Sequence, residues 1–428
     1  MLTTLAAPAF AGTWYIENGD ITVKASDTGN NVTQNNNTTY GDTNTIITGT
    51  SDTNTVTIDT SKGNVDVTFD DLNIDASSRN EAAMSVTGSG NTTIKLDGDN
   101  HLTGGNGRSG IDSIGNLTIY GGENDSLTAK GGSGADGSGG DGIHSGSLTI
   151  YGGTVNANGG NCGDGNYSDG GSGIRISSRS LTIYDGKVNA KGGNGGDGNY
   201  SAGGNGISSS GSITISGGTV NASGGNVGNG NYSYGGSGIH SVSGSIDLSG
   251  SLELTAKAGS SNGKALSQNG KELDLDTIKD KLGPGAKVTA TDANGDSKQV
   301  SVPRPVEPEK PVIPEESSSS SDGGSAAPSA PVSSLPGLTV TDKSGAVISY
   351  TSTQSGNTLT VCVGRLTASL HVSLAALRQL RAEGIETITF QTILCSTTLS
   401  VDELLAMGGE DAEAVLTHRL TDSSLTVG

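Results

Sequence analysis

The 428-residue chain has few aromatic residues and few cysteines. Aromatic residues make up 3% of it and hydrophobic residues 31%, which is little for an ordinary globular core. Three cysteines exclude a disulfide framework of the kind that stabilises small secreted domains. No apolar run is long enough to form a membrane-spanning helix, so we expect no membrane insertion. Such a composition fits either disorder or a fold with a thin core.

Positive charge is also scarce in this chain. It has 24 lysines and arginines against 44 aspartates and glutamates, which gives a formal net charge of −20. That excess argues against nucleic acid or an anionic membrane as a partner. An acidic surface is compatible with bound metal cations, or with solubility alone.

Glycine, in contrast, is abundant, with 70 residues and no Gly-X-Y period, so a collagen helix is excluded. Between residues 110 and 259 a short pattern recurs at spacings of 32, 31, 33 and 32 residues. Each copy begins with the dipeptide Gly-Ile, at Gly110-Ile111, Gly142-Ile143, Gly173-Ile174, Gly206-Ile207 and Gly238-Ile239. A fixed period of this size indicates a solenoid.

The repeated phrases alternate apolar and polar residues, which is the period of a β-strand and not of a helix. A single unit cannot bury its apolar face, but stacked units can bury equivalent residues in columns. We expect Leu148, Leu181 and Ile213 to form one inward column. Sequential parallel strands are connected with right-handed crossovers. The sequence therefore predicts an all-β fold, a right-handed parallel β-helix.

Composition divides the chain into four parts. Residues 1–11 resemble the end of a signal peptide, with Ala9-Phe10-Ala11 as the cleavage site, and this favours a secreted or cell-surface protein. Residues 12–302 form the β-helix with its C-terminal cap, in which Asp276 to Leu282 is expected to be one short helix. Residues 303–336 are a linker rich in proline, glutamate and serine. Residues 337–428 are a small α+β domain.

Two sets of repeated residues are candidate carbohydrate ligands. Rows of exposed tyrosines would offer flat apolar faces with a hydroxyl rim, on which sugar rings stack. Alternatively, these rings stack on each other. Outward asparagines would add hydrogen bonds to sugar hydroxyls. The candidates are Tyr120, Tyr151, Tyr184, Tyr167, Tyr200, Tyr232, Asn156, Asn189 and Asn221.

The glycine-rich repeat loops are candidate calcium sites, because Ca²⁺ takes six to eight oxygens from carboxylates, amides and carbonyls. The alternative is that these aspartates and asparagines only make turns. The candidate ligands are Asp136, Asp164, Asp197 and Asn229.

Catalysis has little support in the sequence. His144 and His240 occupy equivalent positions after Gly-Ile, with Arg175 between them. A lyase or hydrolase would need carboxylates and a base that converge at one point. Ordinary surface histidines explain the pattern better, so no catalytic residue is assigned.

The phrases Ser-Leu-Thr-Ile-Tyr-Gly-Gly-Thr-Val-Asn-Ala at 147–157 and Gly-Gly-Asp-Gly-Ile at 139–143 resemble those of secreted carbohydrate-binding domain proteins of clostridial-type bacteria. The resemblance covers residues 12–300 and implies a pectate-lyase-like β-helix that binds without cleaving. It further implies calcium and an acidic plant polysaccharide such as polygalacturonate, or cellulose. A surface adhesin or stalk, and a polysaccharide lyase, remain as alternatives. We expect a monomer.

Overall fold

The computed structural model divides the chain into two compact units, residues 1–303 and 304–428. The described residues are 11–135, 137–163, 165, 167–228, 230–303, 337–341, 347–348, 350–363, 368–392, 395–408, 412–418 and 423–428. The predicted signal remnant and linker lie outside these ranges, except for Ala11 and Pro303.

The first unit is built from short strands joined by turns rich in glycine and asparagine. In chain order they are β1 (Thr13–Tyr15), β2 (Ile21–Ser26), β3 (Gly29–Gln34), β4 (Asn37–Asp42), β5 (Thr45–Ser51), β6 (Val56–Asp59), β7 (Val65–Asp75), β8 (Met84–Thr87), β9 (Asn91–Asp97), β10 (Asp99–Thr103), β11 (Ile111–Tyr120), β12 (Ser126–Lys130), β13 (Ile143–Ile150), β14 (Thr154–Asn158), β15 (Ile174–Ile176), β16 (Leu181–Ile183), β17 (Lys187–Lys191), β18 (Ile207–Ser209), β19 (Ile213–Ile215), β20 (Thr219–Ser223), β21 (Ile239–Ser241), β22 (Ile246–Leu248), β23 (Glu253–Lys257), β24 (Leu266–Gln268), β25 (Lys271–Glu272), β26 (Lys287–Thr291) and β27 (Ser297–Ser301).

Parallel pairing stacks these strands into three columns, which are the three faces of a solenoid. The first face contains β2, β6, β8, the first halves of β11 and β13, β15, β18, β21 and β24. The second contains β1, β5, β7, β9, the second halves of β11 and β13, β16, β19 and β22. The third contains the ends of β5 and β7, then β10, β12, β14, β17, β20, β23 and β26. One circuit through the three faces is a rung. The predicted parallel β-solenoid is confirmed.

The core is a narrow stack of aliphatic side chains, because every second residue of each strand points inward. Leu148 pairs with Leu181, and Leu181 pairs with Ile213, in the register that the repeats predict. All three side chains are 0% exposed. Burial of each such side chain stabilises the fold by roughly 1.5–3 kcal/mol. The stacked repeats therefore form a core that no single unit could form.

Antiparallel strands close both ends of the solenoid. At the N-terminal end β3 pairs antiparallel with β2, and β4 with β3. The buried Asp42 carboxylate holds this end together, accepting from Trp14 Nε1 at 2.9 Å and from the Gly12 amide at 3.1 Å. At the C-terminal end β27 pairs antiparallel with β26. The outermost parallel strands β2 and β26 are thereby paired on both sides.

The predicted helix between Asp276 and Leu282 is wrong. The segment forms two 3-10 turns, Leu275–Thr277 and Lys279–Lys281, and Ile278 stands between them. The cap is Asp274, whose side chain accepts from the Asp276 amide, so the segment begins earlier than expected. Leu275, Ile278 and Leu282 are buried, but a segment of eight residues is too short to stabilise a regular helix by its own hydrogen bonds.

The second unit is a small α+β domain, as predicted. Its elements are β28 (Leu338–Thr341), β29 (Thr351–Ser355), β30 (Thr358–Cys362), β31 (Ala368–Ser373), α1 (Leu374–Ala382), β32 (Thr387–Gln391), β33 (Ser396–Ser400), α2 (Val401–Met407), β34 (Glu413–His418) and β35 (Ser423–Val427). Its strands form two four-stranded sheets. Ser373 caps α1 and Ser400 caps α2, each accepting a backbone N–H as its sequence position predicts.

Candidate functional site

The third face of the solenoid is its most regular surface. Strands β10, β12, β14, β17, β20, β23 and β26 each have five residues, and all pair without a register shift. The middle outward position of successive strands carries Thr128, Asn156, Asn189, Asn221 and Thr255. The first and second faces have only three-residue strands beyond β13. The third face therefore offers a longer uninterrupted surface than either.

The three predicted asparagines of this face form a hydrogen-bonded ladder. Asn189 Nδ2 donates to Asn156 Oδ1 at 2.8 Å, and Asn221 Nδ2 donates to Asn189 Oδ1 at 3.0 Å. Asn156 Nδ2 donates in turn to Thr128 Oγ1 at 3.3 Å. A primary amide has two N–H donors and an oxygen with two lone pairs. Each half-buried amide is therefore fixed in orientation while it keeps capacity for a further hydrogen bond.

The first tyrosine column, Tyr120, Tyr151 and Tyr184, lies at the end of the second face, just before the turn into the third. Successive ring centroids are 4.6 and 4.9 Å apart, and the planes differ by 2° and 14°. The rings therefore cover each other's faces, and the column presents ring edges and hydroxyls to solvent. Burial, and then the neighbouring Tyr151, raises the pKa of Tyr120 above that of an ordinary tyrosine.

The second tyrosine column, Tyr167, Tyr200 and Tyr232, lies in the repeat loops and is more exposed. Its ring centroids are 5.0 and 5.1 Å apart, with planes within 6° of parallel. The exposed fractions are 75%, 48% and 63%. In a stack of three rings, only the two outermost faces are not covered by another tyrosine of the column. Sugar stacking on every ring face, as the sequence suggested, does not fit this geometry; contacts along the ring edges do.

A feature that the sequence reasoning missed holds these loops in place. Nine glycines of the repeat loops, here called the glycine ladder, are joined in series by backbone hydrogen bonds. In each bond the amide of one glycine donates to the carbonyl oxygen of the glycine before it in the series, with N···O distances of 2.8–2.9 Å. They are Gly132, Gly140, Gly160, Gly171, Gly193, Gly204, Gly225, Gly236 and Gly259. The backbones approach so closely that a Cβ on any of the last seven would overlap a carbonyl oxygen two steps earlier in the ladder. The recurring Gly-Gly pairs are the feature of the sequence from which this ladder could have been predicted.

Of the predicted calcium ligands, only Asp197 falls within the described residues, and Asp136, Asp164 and Asn229 lie outside them. Asp197 is exposed and borders a hollow of about 240 Å³ that Asn161, Cys162 and Asn194 also line.

The nearby amide oxygens already have partners. The Asn161 amide oxygen accepts from the Asn194 backbone, and that of Asn194 accepts from the Asn226 backbone. No group of three or more acidic, histidine or cysteine side chains in the described part of the chain is placed to hold a metal ion. The oxygen atoms of the described residues therefore do not by themselves complete the coordination shell of a calcium ion.

A charged cluster lies on the first face, at the junction with the repeat loops. His144 Nδ1 lies 2.9 Å from Asp112 Oδ1, and Arg175 Nη1 lies 3.9 Å from Asp141 Oδ2. Burial raises the pKa of Asp141, against the opposing effects of the Ser172 amide and Arg175. The hydrogen bond to Asp112 raises the pKa of His144. Two carboxyls, an imidazole and a guanidinium are thus electrostatically coupled at one place.

We expect Asp112→Asn to lower the pKa of His144, because it removes the carboxylate that stabilises the imidazolium. The folded-state pKa lies above the unfolded value, so this pair stabilises the fold fully below about pH 6.5. That contribution is lost as the pH rises through the folded-state pKa. An NMR titration of the imidazole protons in both proteins measures the change.

His240 is the internal control for this titration. Burial and Lys264 lower its pKa, and it has no contact with Asp112, so its titration should be unchanged by the substitution. If His144 titrated identically in the two proteins, the proposed coupling with Asp112 would be wrong.

Comparisons with known proteins do not assign this chain to a group. No protein-family model matches it, and no curated protein and no solved structure matches it either. Among the described residues, no helix is both long and apolar enough to span a membrane.

Proposed function

We propose that this chain is a secreted or surface-displayed, non-catalytic polysaccharide-binding protein. Its ligand is an acidic plant cell-wall polysaccharide such as pectin or polygalacturonate, or cellulose, and calcium assists the binding. The resemblance of the repeat phrases supports this class of ligand. The asparagine ladder of the third face is the structural observation that carries the proposal.

The ladder suits a linear sugar chain because its spacing is regular and its amides are held in place. Strands in a sheet lie about 4.8 Å apart, so Asn156, Asn189 and Asn221 present equivalent amides at that interval. Sugar hydroxyls both donate and accept hydrogen bonds, as amides do. A polymer lying along the solenoid axis can therefore make the same contact on successive rungs.

The first tyrosine column extends this surface at its border with the second face. Ring edges and hydroxyls of Tyr120, Tyr151 and Tyr184 form a rim there, in which Tyr120 is partly buried and the other two are exposed. Tyrosine combines an apolar body with a polar tip, and this suits contact with both the carbon-bound hydrogens and the hydroxyls of a sugar. Fixed stacking also means that little side-chain entropy is lost on binding.

Asn189→Ala is expected to weaken binding of the full-length protein to pectin or cellulose about five-fold, because two amide contacts with the ligand are disrupted. Depletion from solution by the insoluble or immobilised polysaccharide measures the affinity. Thr214→Ala is the matched control, since Thr214 points outward on the second face and should leave binding unchanged.

The same assay separates the parts of the proposal. Weaker binding after chelation with EDTA would support the role of calcium, and unchanged binding would contradict that role alone. If neither pectin nor cellulose retained the wild-type protein, polysaccharide binding itself would be wrong, and an adhesin or stalk would be the better interpretation.

A polysaccharide lyase is the second candidate, and the charged cluster on the first face favours it. Asp141 combines a raised pKa with a position beside the exposed guanidinium of Arg175. Perturbed carboxyls near a cation are typical of catalytic sites, although structural ion pairs produce the same pattern. Release of unsaturated oligosaccharides from polygalacturonate, lost in Arg175→Ala, would favour the lyase over the binding protein.

A further inference from the structure

The third face differs in charge from the rest of this acidic chain. The outward positions of β10, β12, β14, β17, β20, β23 and β26 carry five lysines and two carboxylates, a formal excess of three positive charges. The whole chain has a net charge of −20. Positive charge is therefore concentrated on the one face that also carries the asparagine ladder.

Three of these lysines form a row along the border of the third face. Lys130, Lys191 and Lys257 occupy the last outward position of β12, β17 and β23. On the strands between and beyond them, the same position is held by Asn158, Ser223 and Thr291. The row therefore places one ammonium group on every second rung, at intervals of about 9.6 Å.

The row is available to a ligand. Lys130, Lys191 and Lys257 are all exposed, and none of their ammonium groups forms an ion pair with a described residue. Of the carboxylates on this face, Asp99 already accepts a hydrogen bond from Ser126 Oγ at 2.8 Å, and Asp75, at the end of β7, accepts one from the Ser77 amide at 3.0 Å. Among the residues that the structure describes, these lysines are thus cations without an ion-pair partner, beside a row of hydrogen-bonding amides.

We infer that the third face recognises a linear polysaccharide that carries a carboxylate or sulfate on every second sugar. An extended pyranose chain advances by about one strand spacing per sugar, so alternate sugars coincide with alternate rungs. The asparagine ladder binds the hydroxyls of each sugar, and the lysine row binds the anionic group of each second sugar. This inference rests on the proposed polysaccharide binding and adds the charge spacing of the ligand.

Other polymers fit the row less well. A uronate on every sugar would bring about two carboxylates to each lysine of the row, because Asn158 and Ser223 lie between its lysines on alternate strands, so half of the negative charge would stay uncompensated. A neutral glucan would leave the lysines without partners. Nucleic acid has closely spaced phosphates and would be repelled by the remainder of an acidic chain.

Affinity measurements on the full-length protein with oligosaccharides of equal length test this inference. The probes are an alternating rhamnose–galacturonate oligomer, hyaluronan oligomers, oligogalacturonates, cello-oligosaccharides and a single-stranded DNA oligonucleotide. The two alternating polymers should bind at least about ten-fold more tightly than the others at low salt, and their binding should weaken as salt is added.

The triple variant K130Q/K191Q/K257Q should reduce affinity for the alternating polymers about ten-fold, by loss of three exposed ion pairs. The matched control K62Q/K271Q/K279Q removes the same charge from exposed lysines outside the third face, and should bind as the wild type does. Equal circular dichroism spectra and melting temperatures would show that both variants fold.

Several outcomes would overturn the inference. Oligogalacturonates binding as tightly as the alternating polymers would refute the two-rung spacing, and equal losses in both triple variants would refute the lysine row. Tight binding of cello-oligosaccharides alone would refute the inference while the proposed function stands. Preference for DNA, or no binding of any sugar, would overturn both.

Discussion

Gly204→Ala is expected to destabilise the solenoid by about 3 kcal/mol or more, because the added methyl group has no space. Its Cβ would overlap the carbonyl oxygen of Gly171, and the backbone cannot retreat without breaking hydrogen bonds on both sides. The Gly204 amide donates to Gly193, and its carbonyl accepts from Gly225, each at 2.8 Å. Urea unfolding followed by far-ultraviolet circular dichroism measures the loss.

Gly137→Ala is the matched control in a neighbouring loop. A Cβ at Gly137 would have no atom within 4 Å, and its backbone does not require glycine. Alanine there should be neutral or should stabilise by about 0.4–1 kcal/mol, because it restricts the unfolded chain. Equal effects of the two substitutions would show that the glycine ladder is not closely packed.

Leu181→Ala is expected to cost about 3 kcal/mol, within the range for deleting a fully buried leucine side chain. Leu181 is 0% exposed and lies in a column between Leu148 and Ile213. Neighbouring rungs are fixed by their own strand pairing, so the column cannot easily close over the cavity. Thermal and urea unfolding of the full-length protein measure the difference.

Thr182→Ala tests the same strand from its other side. Thr182 is the next residue in β16 and points outward, so its truncation should change stability by less than about 0.5 kcal/mol. If Thr182→Ala were as damaging as Leu181→Ala, the inward and outward assignments along β16 would be wrong.

The sequence predicted the parts of the fold that depend on side-chain alternation. Leu148, Leu181 and Ile213 alternate with polar residues and recur at the repeat period, so their strands, register and column could all be predicted. The two-turn segment after Asp274 could not, because Leu275, Ile278 and Leu282 are buried at a spacing that suits a helix as well as 3-10 turns, and so short a segment takes the form that its packing in the cap allows.

The site was only partly predictable, for two physical reasons. The glycine ladder depends on backbone atoms, which leave no apolar pattern, so its segments appeared as ordinary turns. Stacking of Tyr151 on Tyr120 and Tyr184 follows from the strand spacing, but the sequence does not decide between stacking and outward display. The lysine row was missed because Lys130, Lys191 and Lys257 skip alternate repeats.

Strand pairing between adjacent rungs has an evolutionary consequence. Each strand of the third face bonds to the strand before it and the strand after it, and the closing strands sit at the two ends. A tandem gene duplication of one 32-residue unit would therefore insert a rung without disturbing either end. Such duplications and their loss can thus lengthen or shorten the recognised stretch of polymer in single steps.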